Sequence, residues 1–402
     1  MQNTTDKGFY GLGISPEFLK ILDQNNFTVP TPIQHQAIGP AMEGKDVVGI
    51  AQTGTGKTLA FGLPLLQRLR IAGGVGLVIL PTRELAIQAD EMLQKIGGSL
   101  GLVTATLIGG EPIRRQVSLL RRRPNIIIAT PGRLIDHVKQ GYLKLDSVTM
   151  IVLDEADRML DIGFEPQIRK IFDLIPEQRQ TMLFSATMPR EIVDIAATYM
   201  ASPVRVEVAP AGTAAELVEQ EIFLVKKEER INLLGTILNE NPGTVLVFSR
   251  TRHGAHRICA AIRSMGHKVA EIHSDRSLGQ RKEALAGFKS GLYRILVATD
   301  IAARGIDVQG ITLVLNFDLP DNTHDYVHRI GRTGRAGQPG RAISFAMPDQ
   351  RRDVREIEQL IRKEIPITSH GGQSFAAEIR KVRSFGHNRH LRKSPPRWRR
   401  SR

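Results

Sequence analysis

The sequence contains little cysteine and few aromatic residues. A single cysteine, Cys259, among 402 residues excludes an intramolecular disulfide and a cysteine-rich zinc site. Aromatic residues make up 5% of the chain, which argues against the extensive base stacking of single-strand-binding proteins. No stretch approaches the ~18 consecutive apolar residues of a spanning helix, and residues 1–10 do not resemble a signal peptide. We therefore expect a cytoplasmic protein with no membrane partner.

Acidic residues are also in short supply. The chain has 55 Lys and Arg against 41 Asp and Glu, a formal net charge of +14, which favours a polyanionic partner. The excess is greatest in residues 371–402, where ten basic residues stand against one acid, Glu378. Because this segment has no apolar periodicity, we expect a basic, disordered tail. The remainder, with an ordinary hydrophobic share, is expected to fold around substantial cores.

Short runs rich in Val and Ile alternate with segments of helical length. Such runs are typical of parallel strands covered on both faces. The pattern predicts an α/β fold with two doubly wound parallel-sheet domains, at 1–209 and 217–366, a linker at 210–216 and the tail at 367–402. The predicted strands are 47–51, 77–80, 103–108, 126–129, 150–153 and 182–184 in the first half, and 222–225, 245–248, 269–272, 295–298, 313–316 and 342–346 in the second.

A glycine-rich loop follows the first predicted strand. Residues 51–58 read Ala-Gln-Thr-Gly-Thr-Gly-Lys-Thr, a P-loop with alanine in place of the usual first glycine. In such a loop successive backbone N–H groups turn toward one phosphate, the lysine reaches the β- and γ-phosphates and the final hydroxyl binds Mg²⁺. An ordinary glycine-rich turn is the alternative. The ATP-binding candidates here are Gln52, Thr53, Gly54, Thr55, Gly56, Lys57 and Thr58.

An acidic tetrad, Asp154-Glu155-Ala156-Asp157, ends another predicted strand. A carboxylate at a buried strand terminus is costly unless a cation or hydrogen-bond donors satisfy it. Asp154 is therefore a candidate Mg²⁺ ligand, and Glu155 a candidate for orienting or deprotonating the attacking water. The alternative is a helix N-cap whose acids suit the helix dipole.

These motifs resemble those of the DEAD-box ATP-dependent RNA helicases of superfamily 2, and the resemblance runs from Phe9 to Ala346. It implies two RecA-like domains, ATP and Mg²⁺ as cofactors, and RNA-stimulated ATP hydrolysis. The expected activity is the local unwinding of short RNA duplexes or the remodelling of RNA–protein complexes. The block at 11–17 and the basic C-terminus are similar to the RhlE-like branch.

Residues 26–34 resemble the family's Q motif, which recognises adenine. The Gln34 amide offers a donor and an acceptor together, as the adenine edge requires. Phe27 supplies a ring that could stack on the base, with plain core packing as the alternative. Asn26 stands where the family usually has glycine.

Other segments resemble the family's coupling and catalytic motifs. Ser185-Ala-Thr187 would hydrogen-bond the DEAD carboxylates, Asp157 included, with helix capping as the alternative. In the second half, Arg329 would bridge to the acids of the first domain and His328 to the coupling motif. By resemblance Arg332 and Arg335 are arginine fingers on the γ-phosphate, and Asp307 binds the ribose. A solvated basic helix face is the alternative.

A last group of segments resembles the family's RNA-contacting motifs. Small residues, hydroxyls and arginines suit contacts to the phosphate backbone, so we expect sequence-independent binding. Turns and helix caps are the alternative. The candidates are Pro81, Thr82, Arg83, Gly109, Gly110, Thr130, Pro131, Gly132 and Arg133 in the first half, and Ser249, Arg250, Thr251, Arg281 and Thr299 in the second. Ser274 and Leu278 depart from the family, which usually has Gly and Gln there.

Two other functions stay open from the sequence. A DNA helicase or translocase of the same superfamily is disfavoured by Gln34 and the acidic tetrad, and a test of 2′-hydroxyl dependence would decide. A non-catalytic RNA clamp would be expected to lack Lys57, Glu155 or Arg335, which are all present. Ribosome-assembly or RNA-degradation factors are candidate protein partners.

Deleting residues 371–402 tests whether the tail is an electrostatic tether for RNA. Each neutralised phosphate on a single strand contributes about −0.7 to the log–log slope of affinity against salt. If about half of the tail's charges engage, the deletion should flatten this slope by ~3 and weaken RNA binding most at low salt. ATP turnover at saturating RNA should barely change. Parallel salt plots for the full-length and truncated proteins would contradict the tether.

Overall fold

The computed structural model describes residues 8–52, 54–208, 218–303, 308, 310–334 and 340–369. These residues divide into two compact units, the first at 8–208 and the second beginning at 218. The predicted linker and residues 370–402 of the predicted tail lie outside the described residues. So do three candidate site residues, Thr53, Asp307 and Arg335.

The first unit contains a seven-stranded parallel sheet. Its strands are β1 (Val47–Ile50), β2 (Val75–Ile79), β3 (Thr104–Leu107), β4 (Ile126–Ala129), β5 (Val148–Leu153), β6 (Gln180–Ser185) and β7 (Val204–Glu207). They lie in the order β3-β4-β2-β5-β6-β1-β7. Every residue of β1, β4 and β6 is buried, which explains why the sequence shows these strands as continuous apolar runs.

Helices alternate with these strands. They are α1 (Pro16–Gln24), α2 (Pro32–Met42), α3 (Lys57–Ala72), α4 (Arg83–Gly97), α5 (Ile113–Leu120), α6 (Pro131–Lys139), α7 (Ala156–Asp161), α8 (Glu165–Leu174) and α9 (Arg190–Tyr199), with a short 3-10 helix at Gly98–Leu100. Apolar faces of several helices pack on the sheet, where Leu134, Ile168 and Ile192 join Ile151 in one core. This burial is the main favourable term in the folding of the unit.

The second unit contains another seven-stranded parallel sheet. Its strands are β8 (Val218–Leu224), β9 (Val245–Phe248), β10 (Val269–Ile272), β11 (Ile295–Ala298), β12 (Leu313–Asn316), β13 (Gly340–Ala346) and β14 (Ile367–Ser369). Its helices are α10 (Arg230–Glu240), α11 (Arg252–Ser264), α12 (Leu278–Lys289), α13 (Asp300–Ala303), α14 (Thr323–Ile330) and α15 (Arg351–Ile361). The strand order is β10-β11-β9-β12-β13-β8-β14.

The two units share one topology. Numbered from the first strand of each unit, both sheets run 3-4-2-5-6-1-7. A residue that follows a given strand in the first unit therefore has a positional equivalent after the matching strand of the second.

The α/β class and the two parallel sheets are confirmed, but the sequence analysis missed the strand at one edge of each sheet. β7 alternates buried and exposed residues and has no apolar run, and β14 has three residues. β14 also corrects the predicted start of the tail, because Ile367 and Thr368 pair with Ile222 and Phe223 of β8. Among the helices of the described residues, none is long and apolar enough to span a bilayer.

Candidate functional site

The strand order divides the candidate residues of the first unit into two groups. All strands are parallel, so their carboxyl ends meet at one edge of the sheet. β5, β6 and β1 are neighbours and place the acidic tetrad, Ser185 and the P-loop side by side. β3, β4 and β2 are neighbours too, and the RNA-binding candidates of this unit follow them. Nucleotide and RNA candidates thus occupy adjacent halves of the same edge.

Lys57 is the first residue of α3 and its side chain is 5% exposed. Its Nζ donates to the Ala51 carbonyl and to Glu155 Oε1, both at 3.0 Å. Burial alone would lower the pKa of Lys57, but the carboxylates of Glu155, Asp154 and Asp157 outweigh it and raise the pKa. Lys57 is therefore a fixed positive charge beside the acidic tetrad.

Gln34 ties the Q motif to the P-loop. Its Oε1 accepts from the Thr31 N–H at 2.9 Å, and its Nε2 donates to the Gly56 carbonyl at 3.0 Å. Gly56 has a φ of +89°, and a Cβ at this position would collide with Gln34 Nε2. A side-chain amide has two donor hydrogens and two lone pairs, so one of each remains for a base. Phe27 is half-buried, with Lys95 Nζ 5.3 Å from its ring centroid.

The acidic tetrad is buried at the junction of β5 and α7. Asp154 Oδ1 accepts from the Glu155 N–H at 2.9 Å, and Glu155 adopts a left-handed φ of +55°. Burial raises the pKa of Asp154 to about 7, while Lys57 opposes this shift and Glu155 adds to it. A buried carboxylate of this kind is stabilised by a further cation. Carboxylate and hydroxyl oxygens are ligands that Mg²⁺ prefers, so Asp154 and Thr58 fit that ion chemically.

Hydrogen bonds connect the tetrad with the residues after β6. Asp157 Oδ2 accepts from the Thr187 hydroxyl at 2.8 Å and from the Thr187 N–H at 2.9 Å. The Asp157 N–H donates to Ser185 Oγ at 3.1 Å. The first turn of α7 is therefore tied to the end of β6.

The RNA-binding candidates of the first unit contact one another at the ends of β2, β3 and β4. Thr82 caps α4, accepting from the Leu85 N–H at 3.4 Å. The Arg83 guanidinium lies against Gly109 and Gly110, and a Cβ at Gly110 would collide with it. On the other side, Arg133 donates to the Glu111 carbonyl at 3.1 Å. Pro81 precedes the α4 cap, and Thr130, Pro131 and Gly132 form the start of α6.

Sequence reasoning missed two residues that hold these turns together, Gln116 of α5 and His137 of α6. Both are fully buried. Gln116 Nε2 donates to the Ile108 carbonyl at 2.8 Å, and His137 Nε2 lies 2.9 Å from Gln116 Oε1. Burial lowers the pKa of His137, and Arg133 lowers it further, so the ring is neutral with its proton on Nε2. The signal was a polar residue at helical spacing from Ile113 and Leu120, in the apolar stripe of α5.

The second unit places its RNA-binding candidates after the equivalent strands. Ser249, Arg250 and Thr251 follow β9, and Thr299 follows β11. Thr251 caps α11, accepting from the Gly254 N–H at 3.0 Å, as Thr82 caps α4. Arg281 is buried at the fourth position of α12, where α5 has Gln116. Ser274 is exposed, and Leu278 is the first residue of α12, next to a capping box formed by Ser277 and Gln280.

Asp318, which follows β12, organises the turn after β9 and was also missed. It accepts from Ser249 Oγ at 3.2 Å, from the Arg250 N–H at 3.0 Å and from Arg230 at 2.6 Å. Burial raises its pKa, but these donors outweigh burial and hold the pKa of Asp318 below its ordinary value. Arg230 also lies over the Phe317 ring, 4.1 Å from the centroid. An acid just beyond a predicted strand was the available signal.

Arg329 is bound by groups of its own unit, and its expected bridge to the acids of the first domain stays a prediction. Its guanidinium is 1% exposed and forms a fork with Asp300, at 2.5 and 2.7 Å. It also donates to the Asp318 carbonyl at 2.6 Å and lies over Phe248. Arg332 is buried three residues further on, and His328 of α14 is half-buried.

Comparisons with known proteins agree with this arrangement. The chain matches the family model of the DEAD/DEAH box helicases at residues 31–195 and that of the helicase conserved C-terminal domain at 226–337. It is 41% identical over 360 residues to the DEAD-box ATP-dependent RNA helicase CshA of Geobacillus kaustophilus, covering 89% of this chain and 77% of that one. CshA of Bacillus subtilis is 41% identical over 360 residues, with 89% and 73% covered.

Two solved structures of nucleotide- and RNA-bound proteins are similar along most of the chain. S. cerevisiae Dbp5 bound to RNA and ADP BeF3 has a TM-score of 0.80 and 27% identity, covering 94% of this chain and 99% of that one. The DEAD-box helicase Mss116 bound to ssRNA and UDP-BeF has a TM-score of 0.84 and 28% identity, covering 95% and 83%.

Replacing Gln116 by leucine tests whether the buried network positions the RNA-binding turns. Gln116→Leu leaves the Ile108 carbonyl and His137 without their partner, at a cost of about 1–3 kcal/mol for each orphaned group. We expect weaker RNA binding with unchanged ATP affinity. Gln180→Leu is the matched control, because Gln180 is as buried but binds the Ala41 and Lys45 carbonyls away from these turns. An equal loss of RNA affinity in both variants, measured by fluorescence anisotropy, would contradict the assignment.

Proposed function

The chain belongs to the DEAD-box ATP-dependent RNA helicases, and we propose that its first unit hydrolyses ATP at the carboxyl ends of β1, β5 and β6. The observation that carries this site is the buried contact of Lys57 with Glu155, because it joins the P-loop to the acidic tetrad at one point. The RNA strand binds at the ends of β2, β3 and β4 of the same unit and at the equivalent ends in the second. The outcome is local separation of short duplexes or remodelling of RNA–protein complexes.

Lys57 and Glu155 exchange partners when ATP binds. The phosphates attract Lys57 and take the place of the Glu155 carboxylate, which is then free to accept a proton from the attacking water. Gln52, Gly54, Thr55 and Gly56 present the loop backbone to the phosphates. Thr58 and Asp154 would hold Mg²⁺, which would supply positive charge to the phosphates. The remaining donor and acceptor of Gln34 read the adenine, with Phe27 beside it.

Asp157, Ser185 and Thr187 carry the coupling step. Because their hydrogen bonds join α7 to β6, a change at Glu155 on binding or hydrolysis moves the residues after β6. The resemblance supplies the other roles: Arg332 and Arg335 stabilise charge on the transferring phosphoryl group, Asp307 binds the ribose, and His328 contacts the coupling motif. Arg329 serves as a positioning residue that holds Asp300, next to Thr299.

RNA is held through its backbone. Hydroxyls, backbone N–H groups and arginines at the turns suit phosphate oxygens and 2′-hydroxyls. The RNA bound to the similar Dbp5 and Mss116 structures supports this proposal over a DNA translocase. A hydrolytic enzyme is supported over a passive clamp by Lys57 and Glu155.

The proposal also covers the branch of the family, the protein partners and the location in the cell. The two relatives are both described as CshA and give no support to the RhlE-like branch, so that proposal rests on residues 11–17 and the basic C-terminus. Ribosome-assembly or RNA-degradation factors are proposed as protein partners. The cytoplasmic location remains an expectation from the sequence.

Glu155→Gln tests the catalytic assignment. The amide keeps the shape of the side chain but cannot take a proton from water, so hydrolysis should fall by roughly 10²–10⁴-fold while ATP still binds. Lys57→Ala should weaken ATP binding as well, because the phosphates lose their cation. Single-turnover hydrolysis and nucleotide binding are measured in parallel, with Glu165→Gln as control. Parental hydrolysis by Glu155→Gln would show that Glu155 has another role.

Gln34→Ala tests how the base is chosen. If Gln34 reads adenine with both ends of its amide, ATP should be preferred over GTP by about 1–3 kcal/mol. The preference should disappear in Gln34→Ala and persist in Gln36→Ala, an exposed glutamine of the same helix. Competition between the nucleotides at sub-saturating concentration measures it. Equal use of ATP and GTP by the parent protein would contradict the assignment of Gln34 to adenine recognition.

A further inference from the structure

Helix α5 has a strongly basic outer face. Arg114 and Arg115 lie in its first turn, and Arg121 and Arg122 follow its last residue, Leu120. All four are exposed. The pair in the first turn and the pair that follows the helix are seven residues apart, or about 10.5 Å at the helical rise of 1.5 Å per residue.

These arginines are not matched by acids. Among the described residues, none of the four guanidinium groups has an ion pair or hydrogen bond. Some arginines on other surface helices do have them, such as Arg169 with Glu165 on α8 and Arg352 with Glu356 on α15. The local positive potential of α5 is therefore not cancelled by neighbouring side chains.

Helix stability does not explain the two arginines in the first turn. The N-terminus of a helix carries a partial positive charge, so cations there are unfavourable by about 0.3–1 kcal/mol, and acids are preferred. α5 has no acid in its first turn and no side-chain cap. Arg121 and Arg122 do suit the helix C-terminus, so Arg114 and Arg115 are the residues that require another account.

α5 is held rigidly beside the RNA-binding turns. It begins three residues after Gly110, whose neighbour Glu111 accepts a hydrogen bond from Arg133. Its inner face is fixed by Gln116, which binds the Ile108 carbonyl and His137. α5 packs on β3, the edge strand of the sheet on the side away from β1. Arg114 and Arg115, in the first turn of α5, therefore lie close in sequence to the candidate RNA-binding turn that follows β3.

We propose that Arg114 and Arg115 form a second RNA subsite, which binds phosphates of the RNA adjoining the strand held at the ends of β2, β3 and β4. Arg121 and Arg122 extend this subsite along the helix. The subsite rests on the RNA site of the proposed function and adds affinity for RNA longer than that site covers. Binding there is expected to be independent of base sequence, because contacts to phosphates carry no sequence information.

The test compares a short RNA strand, long enough only for the motif-bound site, with the same strand extended at both ends. The full-length double variant Arg114→Gln/Arg115→Gln should bind the short strand as the parent does and the extended strand more weakly. For the extended strand, the log–log salt slope should flatten by about 1.4, which corresponds to two phosphates. Lys20→Gln/Lys170→Gln removes two exposed charges from α1 and α8 and should leave both strands unaffected.

Other results would overturn the subsite. An equal loss for short and extended RNA, or the same loss in the control variant, would indicate a general charge effect. If the double variant binds both strands as the parent does, the arginines do not bind RNA, and another ligand such as an acidic protein would have to account for them. The variant Arg83→Ala shows whether the RNA site of the proposed function is itself correct. Because Arg83 belongs to that site, its loss should weaken the binding of the short and the extended RNA equally, whatever the double variant does.

Discussion

A buried cation facing a carboxylate at the end of a central strand is the interaction on which the first unit depends. Lys57 begins the helix after β1, and Glu155 follows β5. Two charges removed from water are stable only if each satisfies the other, so the P-loop and the acidic tetrad must stay together until another charge intervenes. A phosphate is such a charge. The pair therefore keeps the P-loop and the acidic tetrad together.

The second unit has the same pair in the same place, with a different outcome. Arg230 begins the helix after β8, and Asp318 follows β12 as Glu155 follows β5. Arg230 is additionally stacked on Phe317, and the free oxygen of Asp318 binds the Ser249 hydroxyl and the Arg250 N–H. No glycine-rich loop precedes Arg230 to admit a phosphate. The equivalent pair is thus structural here, and it positions the turn at Ser249 and Arg250 that we propose to bind RNA.

The sequence predicted the central strands and the residues at their ends, because both signals are local. Continuous apolar runs mark strands buried on both faces, and polar residues directly after them mark the edge where ligands bind. The sequence analysis missed the edge strands because β7 is half-exposed and β14 is very short. The sequence analysis missed Gln116, His137 and Asp318 for another reason. Side chains such as His137 and Asp318 bind partners that are distant in sequence, and the fold brings them together. For the same reason the Asp300 fork of Arg329 could not be foreseen from the motif that contains Arg329.

Acidic residues lie beside the proposed RNA-binding turns of the second unit, and their charge affects whether a phosphate backbone can approach these turns. A free carboxylate beside a phosphate would repel it, and in a partly desolvated site this repulsion is stronger than in water. Asp300 and Asp318 stand beside Thr299 and Ser249, yet each is matched by a buried arginine, Arg329 or Arg230. Each pair is locally neutral, so the acids can fix the backbone of the turns without opposing RNA. The charge that attracts RNA can then come from groups such as Arg114 and Arg115, which have no acidic partner within the part of the chain that the structure describes.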